Sequence, residues 1–181
     1  MDPIKLIQKY YKPKSEACKI LVVHSEMVTQ KALAFAERVK HLNPDLQFIE
    51  EAAMLHDIGI FMTYSPGIYC HGEAPYIMHG PLGRALLEKE GLPRHALVAE
   101  RHTGVGLSKE DIIRQNLPIP HRDMLPITIE EKIICFADVF YGKTPGKLHE
   151  EKSIEKITKK FEKYGEENLK RLAEFRELFG V

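Results

Sequence analysis

Leu55-His56-Asp57-Ile58-Gly59 decides how the rest of this chain reads. It closes an apolar run (Phe48, Ile49, Ala52, Ala53, Leu55) with the spacing of a helix from about 45 to 57. Asn43-Pro44 supplies a start, a capping residue followed by a proline suited to the first turn. Gly59 stands where a C-cap glycine ends such a helix. His56 and Asp57 then fall in the last turn of a buried helix. A carboxylate there is costly unless it is paired or bound to a metal.

Upstream, Ser15 caps a helix over about 16–42, with apolar residues at 17, 20, 21, 28, 32, 35 and 39 on one face. His24 lies on that face. A shorter helix led by Pro3 precedes it, over 3–11. Downstream, residues 59–78 contain Pro66, Gly67, Gly72, Pro75 and four aromatics. They read as an irregular, lid-like loop, too apolar for a linker, with His71 and Glu73 on it. Helices are expected over about 81–90 and 93–103, with His79 just before the first and His102 at the end of the second. Ser108 starts a short one at 109–115, and a proline-rich loop follows. Thr128 with Glu131 is a capping box for a helix over about 129–141, which carries Asp138 among apolar neighbours. Amphipathic helices over about 151–163 and 166–178 finish the chain and either dock on the core or form a dimer interface. No strand pattern is present. The expected fold is an all-α single domain, a helical bundle over 1–181 with its core at about 15–142 and the C-terminal pair beyond.

Composition narrows the function classes. The 181 residues include 44% apolar and 29% charged, and the formal net charge is zero, so a broad nucleic-acid face has no support. Cys18, Cys70 and Cys135 are widely spaced and form no C-x-x-C, which argues against a disulfide framework or zinc ribbon. Met1-Asp2-Pro3-Ile4-Lys5 lacks the layout of a signal peptide, and no apolar run reaches the roughly 18 residues of a membrane span. The expected location is the cytoplasm, with no membrane partner.

His24, His56, Asp57 and Asp138 each lie within or at the end of an apolar stripe. One such histidine alone is more often a satisfied core residue. Two aspartates in apolar faces are harder to place, and one divalent ion held by all four accounts for the set. His79 and His102 stand beside glycines at helix ends. Either they cap, or they join Asp57 around a second ion. Imidazole and carboxylate donors without thiolate suit iron or manganese ahead of zinc, cobalt or magnesium.

The order His24…His56-Asp57…Asp138 resembles the H…HD…D signature of the HD-domain phosphohydrolases, and Ile58-Gly59 completes the HDIG variant. The resemblance covers roughly residues 15–142. His79-Gly80-Pro81-Leu82-Gly83 and His102-Thr103-Gly104 are similar to the dinuclear branch that includes HD-type diadenosine tetraphosphate hydrolases. Thr103-Gly104-Val105-Gly106 replaces the GYP tripeptide of the cyclic-dinucleotide phosphodiesterases, which argues against that activity. The resemblance implies two divalent ions bridged by Asp57, and hydrolysis of a small phosphate ester or anhydride by a metal-activated water. Asp57 would carry the catalytic role, and a nucleotide is the expected substrate.

Lys143, Lys147 and Arg84 are the candidate phosphate contacts, each weighed against an ordinary surface charge. His41, His95, His121 and His149 read as solvated, and Phe61, Tyr64, Tyr69 and Tyr76 either stack a base or pin the loop. Two other readings compete: a nucleotide-binding regulator with a structural metal, and a diiron oxygenase on the same ligand set.

Overall fold

A computed structural model describes residues 1–181. Its helices begin where short polar side chains accept the first free backbone N–H groups. Asp2 accepts from Lys5 and starts α1 (Pro3–Tyr10); Ser15 accepts from Cys18 and starts α2 (Glu16–Arg38). Asp45, one residue past the expected Asn43-Pro44 start, caps α3 (Leu46–Leu55), and Asn43 instead takes a left-handed conformation at the preceding turn. The helices α4 (His79–Lys89) and α5 (Pro93–Arg101) follow the loop. Ser108 and Asp111 form a reciprocal capping box on α6 (Lys109–Arg114). The chain ends with α7 (Ile129–Asp138), α8 (Ile154–Phe161) and α9 (Glu166–Phe179).

The all-α expectation holds, with local corrections. Gly59 is no C-cap. It lies in a 3-10 turn over Ile58–Met62, and a Cβ there would come within 2.3 Å of the His79 carbonyl and 2.6 Å of the Gly83 nitrogen. The glycine lets this turn press directly on the first turns of α4. The 59–78 loop contains a two-stranded antiparallel ribbon, β1 (Tyr64–Ser65) and β2 (Cys70–His71), too short to show any period in sequence. At α7 only half of the expected box forms. Thr128 accepts from the Glu131 N–H, but the Glu131 carboxylate accepts from Arg101 and from the Ile127 N–H.

Two large apolar clusters fill the interior, and a small third one, Ile112, Ile119 and Met124, lies under α6. The larger joins α2, α3 and α7 to both C-terminal helices, with Phe35, Phe136, Phe175 and Phe179 in ring contact. The C-terminal pair therefore docks on the core of its own chain. The second packs α1, α4 and α5 against α2 and α3. No helix is long and apolar enough to cross a membrane.

Candidate metal centre

The polar residues of interest fall in sequence between members of these two clusters. His24 sits mid-α2, between Leu21 of one and Val28 of the other. His56 and Asp57 follow the last turn of α3, and Asp138 is the last residue of α7. His79 opens α4 and His102 follows α5. Helix ends thus bring five of the six to one place, where side chains can turn inward without breaking a helix. His24, His56 and Asp57 are wholly buried, and His79 and His102 nearly so.

The six form two sets sharing one carboxylate. His24, His56, Asp57 and Asp138 offer donor atoms within 4.8 Å of one another, and so do Asp57, His79 and His102. The Asp57 oxygens divide between them. Oδ2 lies 3.2 Å from His24 Nε2 and 3.1 Å from His56 Nε2; Oδ1 lies 3.5 Å from His79 Nε2 and 3.4 Å from His102 Nε2.

These atoms are close but not aligned as hydrogen bonds. His24 Nε2, His56 Nε2, Asp57 Oδ1 and Asp138 Oδ1 are buried without a hydrogen-bond partner, and Asp57 Oδ2 has the Lys143 ammonium beside it. Ring orientation explains this for three histidines. Nδ1 of His56, His79 and His102 lies 2.6, 2.7 and 2.9 Å from the carbonyl three residues earlier, at Ala53, Tyr76 and Ala99. A carbonyl can only accept, so each Nδ1 carries a proton, and Nε2 is the ring atom left to bind a cation when the ring is neutral. The lone pairs of His79 and His102 face each other at 3.1 Å. Two acceptors at that distance repel unless a cation lies between or beside them. Backbone-held Nδ1–H groups are also what orients metal-binding imidazoles.

The electrostatics of the two halves differ. Burial alone would raise the Asp57 carboxyl, but Lys143 and His56 outweigh it and hold it well below the usual carboxylate range. Asp138 is held low in the same way by Lys143 and the two histidines beside it. Burial disfavours the charged His56 ring, yet Asp57 and Asp138 lift it to about 10, so this half demands positive charge. Burial pushes His79 down to about 4 against the pull of Asp57, which leaves a neutral ring with a free lone pair. The ionised carboxylates and the neutral His79 ring are already the ligand forms a divalent ion requires, whereas at His56 the ion would take the place of the Nε2 proton.

A family model described as HD domain matches residues 21–143. The chain belongs to the HD domain family. An uncharacterized protein of Methanocaldococcus jannaschii is 37% identical over 79% of this chain and 76% of its own length. Two tRNA (cytidine(56)-2'-O)-methyltransferases match at 34% (Picrophilus torridus, 69% of this chain) and 31% (Thermoplasma volcanium, 70% of this chain). The matched part is 33% of the length of each methyltransferase. No solved structure matches the chain. HD domains are typically metal-dependent phosphohydrolases.

In this HD domain a cleft of about 250 Å³ opens onto the cluster, lined by Tyr76, His79, His102, Asp138 and Lys143 among others. Of the three cations expected near phosphate, only Lys143 arrives, its Nζ 2.5 Å from Asp57 Oδ2. Arg84 pairs with Glu88 and with the buried Glu100, which also holds Arg122, and does not line the cleft. The buried carboxylate of Glu100 requires a cation, and Arg84 meets that need. Lys147 is solvated, 4.0 Å from Glu150. His95 is buried rather than solvated, against Phe48 and Glu51.

Of the four loop aromatics, Phe61 meets the loop-pinning alternative, and several further supports gave no signal in the sequence. Tyr76 stacks on the His79 ring at 4.7 Å, while Phe61 pins the loop through Tyr10 and Tyr11. Cys135 donates its thiol to the His102 and Gly104 carbonyls, tying that turn to α7. Lys152 donates to the Val139 and Tyr141 carbonyls just past Asp138. Apart from the Tyr76–His79 stack, these join residues well separated in sequence, and no local pattern marks them.

Proposed function

We propose that this HD domain is a metal-dependent phosphohydrolase with two divalent ions, acting on a small phosphate ester or anhydride, with nucleotides as the substrate class. The observation that carries the reading is the division of Asp57, one oxygen toward each histidine set. His24, His56, Asp57 and Asp138 would hold one ion, and Asp57, His79 and His102 the other. Donors are nitrogen and oxygen only, which favours iron or manganese over zinc, cobalt or magnesium. Such ions supply Lewis acidity toward a phosphoryl oxygen and a nucleophilic water at neutral pH.

The chain's own residues do the rest. Asp57 bridges the sets and fixes their separation. The Nδ1–H anchors on Ala53, Tyr76 and Ala99 hold three rings in place, so little reorganisation is needed when substrate arrives. Lys143, paired with Asp57, is placed to turn its ammonium onto a substrate phosphate once that carboxylate is otherwise neutralised.

The test is turnover on a panel of phosphodiesters and nucleotides. Activity should disappear with chelator and return with manganese or ferrous iron. Asp57→Ala should abolish it, and an Asp57→Ala protein that keeps turnover would overturn the assignment.

A further inference from the structure

Beside the metal-facing cleft lies a second compartment of about 280 Å³. The two share Thr103, Gly104, Lys160 and Phe161. The first is built of histidine, aspartate and lysine. The second is bounded by Ile77, Leu107, Leu117 and Tyr164, so its walls are apolar and aromatic. Thr103, Lys160, Asn168 and Gln115 are the polar residues on those walls, and of these Gln115 has its amide nitrogen Nε2 buried without a hydrogen-bond partner. Gln115 stands just past the end of α6, where its backbone N–H already closes the helix onto Asp111. At the junction, a side chain on Gly104 would meet the Phe161 ring at 3.5 Å, so the glycine leaves that aromatic edge open to both compartments.

A buried amide donor without a partner is unfavourable by itself, and a ligand acceptor would satisfy it. A largely apolar, aromatic-lined space with a few polar groups, one of them an unpaired donor, is the usual form of a site for a flat heterocycle. Placed next to a phosphate-facing cleft, it matches a nucleotide in shape and polarity. We infer that this second compartment is the base subsite of the substrate, with Gln115 donating to an acceptor on the ring edge. The subsite rests on the phosphohydrolase reading for its phosphate end. Its walls come from Ile77, the 103–117 stretch, α8, the turn that carries Tyr164 and α9, and the C-terminal residues lie outside the 21–143 segment matched by the family model. The C-terminal pair would thus set base specificity as well as complete the core.

Binding without turnover tests this. The metal-loaded full chain is titrated by calorimetry with phosphonates of adenosine, guanosine, cytidine and uridine, in which a carbon–phosphorus bond replaces the 5′ ester. Ribose 5-phosphonate, which lacks the base, is the reference. At least one base should improve affinity about tenfold or more over the reference. Gln115→Leu should reduce that advantage by roughly tenfold, the effect of leaving a buried acceptor unpaired, with ribose 5-phosphonate unchanged. Gln115→Glu, which keeps the shape and replaces the donor by an acceptor, should reduce it at least as much. Four base-bearing ligands that bind no better than ribose 5-phosphonate would overturn the subsite. So would Gln115 variants that weaken all five ligands equally. Base-dependent binding in a chain that hydrolyses no phosphate ester would keep the subsite and remove the reaction class.

Discussion

Asp57 lies at 0% exposure with four imidazole nitrogens around its two oxygens, and no fold would keep such a group without cationic compensation. Lys143 supplies some, at 2.5 Å, but it sits on the Oδ2 side and leaves the facing lone pairs of His79 and His102 unaddressed. The residue scale also separates function from stability. Arg84, expected on substrate, is a structural partner of Glu100, a carboxylate only 2% exposed. Arg84→Met should lower stability by about 1–2 kcal/mol, moderated because Arg122 still covers the carboxylate. KM for any phosphate substrate should stay within twofold of the parent. Chemical denaturation beside steady-state kinetics measures both, and a large KM change with unaltered stability would return Arg84 to the substrate.

At the scale of elements, the site depends on how closely the 58–62 turn approaches α4. Gly59→Ala would place a methyl against backbone atoms that cannot move aside, so it should destabilise by about 1–3 kcal/mol and weaken metal retention. Gly83→Ala meets the Ala99 Cβ and the Gly59 nitrogen at 3.4 Å, close to ordinary contact, and should be much milder. Equal effects would mean that the approach of these backbones does not shape the site. A second element-level link is Asp111 on α6, which joins Arg171 and Asn168 of α9. Burial would raise its carboxyl, yet the Ser108 N–H and Arg171 hold it below the usual 3.8. A depressed folded value gives stability that is fully present above about pH 4 and lost as pH falls through the folded value. Asp111→Asn should therefore be less stable at neutral pH, with a shallower loss on acidification. Thermal unfolding from pH 7 down to 3 checks the sign.

On the scale of the whole molecule, eight of the nine helices build the two large apolar clusters, and the six candidate ligands come together between them. Much of this was legible in the sequence. His24, His56, Asp57 and Asp138 announce themselves because ionisable groups interrupt apolar stripes whose helical period is plain. His79 and His102 were legible only as helix-end residues beside glycines; their approach to each other depends on α4 packing on α5. What stayed hidden was long-range or too short for a period. The Glu100 partners of Arg84, the Glu131–Arg101 pair, the Cys135 thiol contacts and the 64–71 ribbon are all of this kind. Gln115 gave no signal, since an unpaired amide is a property of the packed structure alone.

The most direct test of the shared-carboxylate site is the metal content of purified chain and two variants, read by elemental analysis. The account predicts two divalent ions per chain in the parent, one in His79→Ala and none in Asp57→Ala. An Asp57→Ala protein that retains both ions would contradict it.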